Sequence, residues 1–473
     1  MASPNISFDT IPASIRKPGK YFEFNTRLAV RTLPQNRQEV LIVAQRLSGG
    51  SVAAHTPVRI FDDAQAADYF GAGSQVHLMA RAMLTANAYV ALSAVAADDN
   101  PAGVAASGTI AVPDNAAAAG TARVYAGNVY AEVAVAKGDA KADVAAALKA
   151  ALDAKPDLPV TVAVATNTLT FTAKNKGVAG NGIFLGLVAT NGCITGTVTA
   201  MSGGSGDPDI GPALATVFGH QYHELVVPYG DVEVLKKLRS HLESVSGAME
   251  QRPGVGVFGA TGALSAATTL AGELNADRML GAYVRGSRSL PCEVAAAMAG
   301  IMAFEEDPAR PLNTLELKGI HAPVIKDRLS RTEQEVCLNN GVTPLEVGPG
   351  GRVQVVRAIS TYTQDAQGVD DVSLLDITTI RTLDYVRRAC RERISLRFPR
   401  EKLSEKTPPK VRSELLDVLY KLEELEIVEA VDTHADGLIV ERDSQDSNRL
   451  NGKIPTDVVN GLHVFAGRID LLL

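Results

Sequence analysis

The chain has 473 residues, 46% hydrophobic and 21% charged. At roughly 100–200 residues per domain this allows several domains with real cores and excludes a disordered, collagenous or disulfide-stapled chain. A net charge of −7 and the absence of Trp argue against a general nucleic-acid surface, which needs a basic footprint and stacking aromatics.

The opening residues read as an extended arm, 1–30. Pro4, Pro12 and Pro18 exclude a continuous helix. Ile6 and Phe8 alternate with Ser7 and Asp9, and Tyr21, Phe22 and Phe24 crowd together. Frayed tails are usually polar, so an apolar arm wants a surface to lie on. Its start carries no apolar h-region and does not read as a secretory signal. Residues 39–47 then read as a buried strand, PVRIF (57–61) as a short one, 63–87 as helix and 89–95 as strand.

The composition changes at residue 100. Residues 100–207 hold 27 Ala and 14 Gly but only 14 charged residues. The runs TARVYAGNVYAEVAV, LPVTVAVAT and NTLTFTAK read as strands around one helix at 139–154. This segment is expected to be a small inserted α+β domain, rich in β-strand and peripheral. Deleting 101–206 is then expected to leave a folded subunit.

Regular alternation follows. ELVVPYG (224–230), GVGVFGA (254–260) and RMLGAYVR (278–285) read as strands, with helices over 231–245, 263–275 and 291–307. This βαβ order predicts a mostly parallel sheet covered by helices, joined by the strands before residue 100. The host domain would then be discontinuous, 31–99 with 208–320. A C-terminal α+β domain is expected at 321–461. It has a strand at 352–363 and a helix at 373–394 with Ile377, Ile380, Leu383, Val386, Cys390 and Ile394 inward. A second helix runs from Pro408 with Val411, Leu415, Val418, Leu422 and Leu425, and LIVER (438–442) reads as strand. The stretch 462–473 is a second extended apolar end, with Phe465, Ile469, Leu471 and Leu473 on one strand face. The fold class is therefore α/β plus α+β: multidomain, with a discontinuous α/β core, an inserted β-rich domain, a C-terminal α+β domain and extended terminal arms.

Motifs for chemistry fail in their context. Gly254, Gly256 and Gly259 match a dinucleotide fingerprint, but the glycines alternate within the strand instead of following it. Close packing of strand on helix explains them as well. His220, His223 and Glu224 have the wrong order for a zincin, and on a strand the two histidines would point to opposite faces. The cysteines at 193, 292, 337 and 390 form no CxxC pair. No run of about 18 apolar residues predicts a membrane span. No catalytic, cofactor-binding or metal residues are assigned, and no cofactor, nucleic acid or membrane insertion is expected.

Charge is segregated near the C-terminus. Residues 381–412 hold 11 Lys/Arg and 4 Asp/Glu, and residues 413–446 hold 2 and 11. Arg381, Arg388 and Arg391 are placed on one exposed helix face by their spacing, with Arg387 beside them. Either the two segments neutralise each other, or a basic face meets an acidic partner.

Several stretches resemble the Mu-like phage tail sheath proteins. They are ISFDTIPASIRKPGKYFEFNT, TAKNKGVAGNGI, DPARPLNTLELKGI, SRTEQEVCLNNGV, ISTYTQDAQGVDDVSLLDITTIRTLDYVRRACRERISLRFPR and LIVERDSQDSNRLNGKIPTDVVNGLHVFAGRID. The resemblance covers nearly the whole chain. It implies a non-enzymatic subunit that polymerises with itself as a helical sleeve around a tail tube protein, bounded by baseplate and tail terminator proteins. The sleeve would be assembled in the bacterial cytoplasm, carried in the virion and contracted to drive the tube through a host envelope. It also implies that the two apolar ends add strands to neighbouring subunits, through Ile6, Phe8, Tyr21, Phe22, Phe24, Phe465, Ile469, Leu471 and Leu473. Hinges are expected near Lys17–Gly19 and Asn460–Gly461. Arg381, Arg387, Arg388 and Arg391 would then face the tube. A bacteriocin or injection particle is the nearby alternative. A nucleotide-dependent α/β enzyme, resting on the βαβ order and Gly254–Gly259, is the distant one.

Overall fold

The computed structural model describes residues 16–22 and 33–472. Ile6, Phe8, Phe24 and Leu473 lie outside them. The elements from β1 to β3 are β1 (Glu39–Gln45), β2 (Val58–Ile60), α1 (Asp63–Phe70), α2 (Gln75–Ala86) and β3 (Ala91–Ala97). The single helix expected over 63–87 is two. Gly71 and Gly73 take positive φ and end α1, and Ser74 then caps α2 by accepting from the His77 N–H.

Residues 107–202 form β4 (Ser107–Ala111), β5 (Gly120–Ala126), β6 (Val129–Val135), α3 (Lys141–Asp153), β7 (Val160–Ala165), β8 (Thr168–Ala173), β9 (Leu185–Ala189) and β10 (Thr197–Ser202). They make two antiparallel sheets, ordered β10-β4-β8-β7 and β6-β5-β9. The turn between β6 and α3 is exposed. Gly138 there has φ 90° and nothing within 4 Å of where a side chain would begin. The two ends of this stretch meet: Asn100 Nδ2 donates to the Asp207 carbonyl (3.3 Å), and Val104 bridges Ser205.

Then come α4 (Gly211–Val217), β11 (Glu224–Val226), α5 (Val232–Ser246), β12 (Val255–Ala260), α6 (Leu264–Leu274), β13 (Met279–Tyr283), α7 (Pro291–Phe304), α8 (Arg331–Asn339), β14 (Thr343–Val347) and β15 (Val353–Val355). The main sheet has eight strands in the order β15-β14-β13-β12-β11-β1-β3-β2. β14, β13, β12, β11, β1 and β3 run parallel, and β2 and β15 close the edges antiparallel. β14 and β15 carry this sheet past the expected boundary at 320. The strand expected over 352–363 stops at Val355, where the chain turns into a loop.

β1 shows why the sheet reads as apolar runs. Val40, Ile42 and Ala44 belong to the core that includes α2 and α7, while Leu41 and Val43 pack into the core of α4 and α5. Helices cover both faces, so neither set of alternating side chains faces water.

The chain divides into two compact units. The larger holds Asn36–Val386 and Glu426–Glu429 with the segment from Thr456 on; the smaller holds Arg387–Leu425 and Ala430–Pro455. The division falls within α9 (Ile377–Arg397). The smaller unit has α10 (Thr407–Glu424), whose Val411, Leu415, Val418 and Leu422 are buried as their spacing predicts, while Leu425 is exposed. In the larger unit β16 (Val428–Glu429) pairs with a strand near the C-terminus. In the smaller, α11 (Val431–His434) precedes a hairpin of β17 (Ile439–Arg442) and β18 (Leu450–Lys453). The partner of β16 is β19 (Asp457–Val458).

Segment 107–202 bonds to the start of α7, to α2 and to the end of β1. Asn128 Nδ2 donates to Ser289 Oγ (2.7 Å) and to Glu293 Oε2 (3.0 Å), beside Arg288 stacked 4.4 Å over the Tyr125 ring. Arg81 pairs with Asp157 at 2.6 Å. The third is a buried polar node around Asn175, described below. Glu293 also accepts from the Leu290 N–H (2.9 Å), capping α7. Burial pushes its carboxyl up to about 7, against the stabilising bonds from Leu290 and Asn128 and the attraction of Arg81. A folded-state value above the unfolded 4.5 means that protonation favours the fold below pH 4.5 and that this stability is lost as pH rises through about 7. Glu293→Gln removes the titration. Relative to the unsubstituted chain it should gain stability between pH 5 and pH 8, by at most about 3 kcal/mol. Parallel denaturant titrations at the two pH values measure this; an unchanged difference would refute it.

Candidate functional site

In an open parallel sheet, ligands bind outside the carboxyl ends of strands, where neighbouring connections leave in opposite directions. Here that point lies between β1 and β11. At the end of β1 the crevice is filled by the chain itself. Gln45, at the end of β1, donates from Nε2 to Asp99 Oδ1 (2.7 Å) and to the Lys176 carbonyl (2.9 Å). Asn175 donates to Asp99 Oδ1 (2.9 Å) and to the Arg46 carbonyl (3.0 Å), and accepts from the Gln75 N–H (3.2 Å). The Lys176 N–H donates to Asp99 Oδ2 (3.1 Å). Beside Gln75, Asn175, Pro228 and Pro291 lies a cavity of about 30 Å³, and an open recess of about 360 Å³ lies at the start of α5. The cavity has room for a single water, and the recess is lined by Asp207, Asp209, Asp231 and Glu233 with Lys237, an acidic lining that suits a phosphate poorly.

The glycine fingerprint is packing. A Cβ built on Gly256 would lie 2.5 Å from Met279 Sδ, and one on Gly259 would lie 2.0 Å from the Pro291 carbonyl oxygen. β12 therefore has no room for side chains where it meets α7 and its sheet neighbour. His220 and His223 are not on a strand: they lie in the turn before β11. Both are engaged by Glu39. His220 Nε2 is 3.0 Å from Glu39 Oε2, and His223 Nδ1 accepts from the Glu39 N–H at 3.0 Å. Among the described residues no group of three metal-ligating side chains gathers, and no helix is long and apolar enough to cross a membrane. The four cysteines are buried thiols.

The arginine face differs from its spacing. Arg381 is buried and cannot face a partner. Its Nη2 donates to the Met302 (3.0 Å) and Glu305 (2.7 Å) carbonyls, at the C-terminal end of α7 where helix carbonyls lack internal donors. Burial pushes the Glu224 carboxyl up to about 8, against the pull of Arg381. The first turn of α9 is enclosed, with Ile377, Thr378, Ile380 and Thr382 also buried, so periodicity could not locate its outer face. Leu383, expected inward, is exposed. Arg387 and Arg388 are half-buried and Arg391 is exposed. Arg388 Nε reaches Glu392 Oε1 at 2.9 Å, one turn on.

Arg393, which the sequence reading passed over, is the buried cation of the smaller unit. Its Nη1 is 3.0 Å from Glu414 Oε2 and 2.5 Å from Asp417 Oδ2. Arg397 adds an ion pair to Glu414 (3.5 Å) and Lys421 one to Asp417 (3.1 Å). Burial would raise the Asp417 carboxyl, but Arg393 and Lys421 hold it below its usual range. The basic and acidic stretches thus neutralise each other in part. The available signal was Arg393 three residues after Cys390, on the inner stripe.

The described apolar side chains of the two ends are exposed. Tyr21 and Phe22 are uncovered, and so are Leu462, Val464, Phe465, Ile469, Leu471 and Leu472, with Ile469 at 98%. No secondary structure forms over 459–472.

Two family models match the chain: the phage tail sheath protein central domain over residues 203–361, and the phage tail sheath C-terminal domain over 369–471. The chain is 33% identical over 491 aligned residues to the Mu-like prophage FluMu tail sheath protein of Haemophilus influenzae, covering 99% of this chain and 100% of that one. The crystal structure of a sheath tail protein from Desulfitobacterium hafniense matches with a TM-score of 0.52 at 15% identity, covering 94% of this chain and 97% of that one. A chain of the anti-feeding prophage baseplate matches with a TM-score of 0.51 at 11% identity, over 97% of this chain and 100% of that one. A chain of the contracted PVC sheath complex, from an extracellular contractile injection system, matches at 0.51 and 11%, over 97% and 98%. At these identities the structures share the fold.

The buried and exposed arginines of α9 should separate in a denaturation series. Arg393→Ala strands two acids in a partly buried site and should cost about 3 kcal/mol. Arg388→Ala removes one exposed helical pair and should cost about 0.5 kcal/mol. Equal losses would contradict the arrangement described.

Proposed function

Because the chain belongs to the phage tail sheath family, it is a contractile tail sheath subunit, and we propose that its copies form a helical sleeve around a tail tube, bounded by baseplate and terminator proteins. The sleeve assembles in the host cytoplasm, is carried in the virion and shortens on triggering to drive the tube through the host envelope. The observation that carries this reading is the apolar segment 462–472, exposed at every residue but His463. Such a surface is an aggregation hazard in an isolated molecule, and a neighbour's sheet edge would cover it. A head-to-tail contact of this kind does not close on itself and builds an open helix.

Residues 1–30 and 462–473 are the arms in this reading, and 100–207 is a module on the outer surface of the sleeve. The acidic lining of the recess at the start of α5 and the side chains packed at the end of β1 speak against a nucleotide-dependent enzyme. The likeness to anti-feeding prophage and injection-system chains keeps an injection particle as the second reading, because the same subunit serves either particle.

Arg387, Arg388 and Arg391 face the tube in this proposal, and Arg381 has no part in it. A rim of screened charge contacts, each worth up to about 1 kcal/mol, suits a grip that must release. Reversing Arg388 and Arg391 to Glu should weaken co-sedimentation with tube and leave tube-free polymers intact; if both assemblies are unaffected, the tube-facing assignment fails. Removing residues 464–473 should give a folded subunit that forms no rods in negative-stain electron microscopy. Normal rods from that truncation would remove the arm from the assembly mechanism.

A further inference from the structure

Three distant stretches of sequence meet where the apolar segment leaves the body. After β19, the last main-chain hydrogen bond along the segment among the described residues runs from the Val459 N–H to the Ile427 carbonyl (3.3 Å). Gly461 then lies so close to Pro311 that a Cβ there would sit 2.4 Å from its Cγ. His463 follows, and its side chain is only 17% exposed, although Leu462 before it and Val464 and Phe465 after it are all more than three-quarters exposed.

The imidazole is hydrogen-bonded on one side and lies near a carboxylate on the other. Asn313 Nδ2 lies 3.0 Å from Nδ1, so the ring accepts there and carries its proton on Nε2. Nε2 lies 3.6 Å from Asp376 Oδ1. That carboxylate is fixed by Arg357, whose Nε donates to Oδ1 (2.8 Å) and Nη2 to Oδ2 (2.6 Å). Burial and the Arg357 charge lower the His463 pKa, and Asp376 opposes them. The geometric hold on the ring is thus its hydrogen bond with Asn313, with the Arg357-bound Asp376 carboxylate beside it.

We infer that His463 is a latch that clamps the root of the apolar segment to the body, so that the segment pivots after His463 and not at Asn460–Gly461. Everything before the latch is held by β19, by Pro311 and by the imidazole; beyond it no main-chain hydrogen bond or buried side chain restrains the chain among the described residues. A strap with a fixed root leaves the body in a set direction, which reduces the conformational entropy lost when its apolar face finds a partner. The latch stands on contacts within one subunit, so it holds or fails independently of what the segment binds.

Chymotrypsin provides the test, because Leu462 and Phe465 bracket the latch and neither needs to be changed. Cleavage of a folded protein requires the local chain to open first. In the full-length, unassembled chain, cutting after Phe465 should be at least tenfold faster than cutting after Leu462. Asn313→Ala and Asp376→Asn should each raise the Leu462 rate at least fivefold and leave the Phe465 rate unchanged. Equal rates at the two sites in the unsubstituted chain, or a Leu462 rate that neither variant moves, would overturn the inference. If Asp376→Asn fails to fold once Arg357 loses its partner, Asn313→Ala decides alone.

Discussion

The carboxyl ends of β1 and β11 impose the constraint on which the rest of this subunit depends. A doubly wound parallel sheet leaves a crevice there, lined by strand ends and helix N-termini that seek polar partners. Enzymes of this architecture give that crevice to a ligand. Here Gln45, Asp99, Asn175 and Lys176 bond to one another in part of it, with Gln45 Oε1 left unpaired, beside a cavity the size of one water. A buried polar network of this kind is stable only when nearly complete, since each unpaired member costs its own desolvation. Segment 107–202 is therefore part of what completes the sheet, through Asn175, Asn128 and Asp157, as well as an addition to it.

This bears on how work is divided in the molecule. What the described residues leave exposed includes the apolar side chains of 462–472 and, on α9, Arg391. The charges on α9 separate into two classes by burial. Arg381 caps the end of α7 and Arg393 holds α10 through Glu414 and Asp417, so both are architecture. Arg388 is half-buried and paired with Glu392, and Arg391 is exposed.

Much of this was legible in the sequence. The βαβ alternation after residue 210, the glycine-spaced strand at 254–259 and the inner stripe of α10 follow from local periodicity, which needs only neighbours three or four residues away. What escaped depends on distant partners. Arg381 reads as an outer arginine because nothing nearby shows that the end of α7 covers it. Gly71 and Gly73 break a continuous apolar pattern that spacing alone joins into one helix. The role of Asn175 needed Gln75 and Asp99, separated from it by about a hundred and about eighty residues, to come together. The stretches that resemble sheath proteins at 307–320, 359–400 and 438–470 gave no hint that Asn313, Asp376 and His463 converge.

The turn at Gly138 has a practical meaning. It projects from a segment bonded to α7, α2 and the end of β1, it is exposed, and no atom stands within 4 Å of where a side chain would begin. A loop of this kind tolerates added chain because closure entropy grows only slowly with length. A foreign epitope spliced there would be displayed on a stiff mount at defined orientation. In a polymer of identical subunits it would be repeated at the lattice spacing, making the protein a multivalent scaffold for antigens or enzymes.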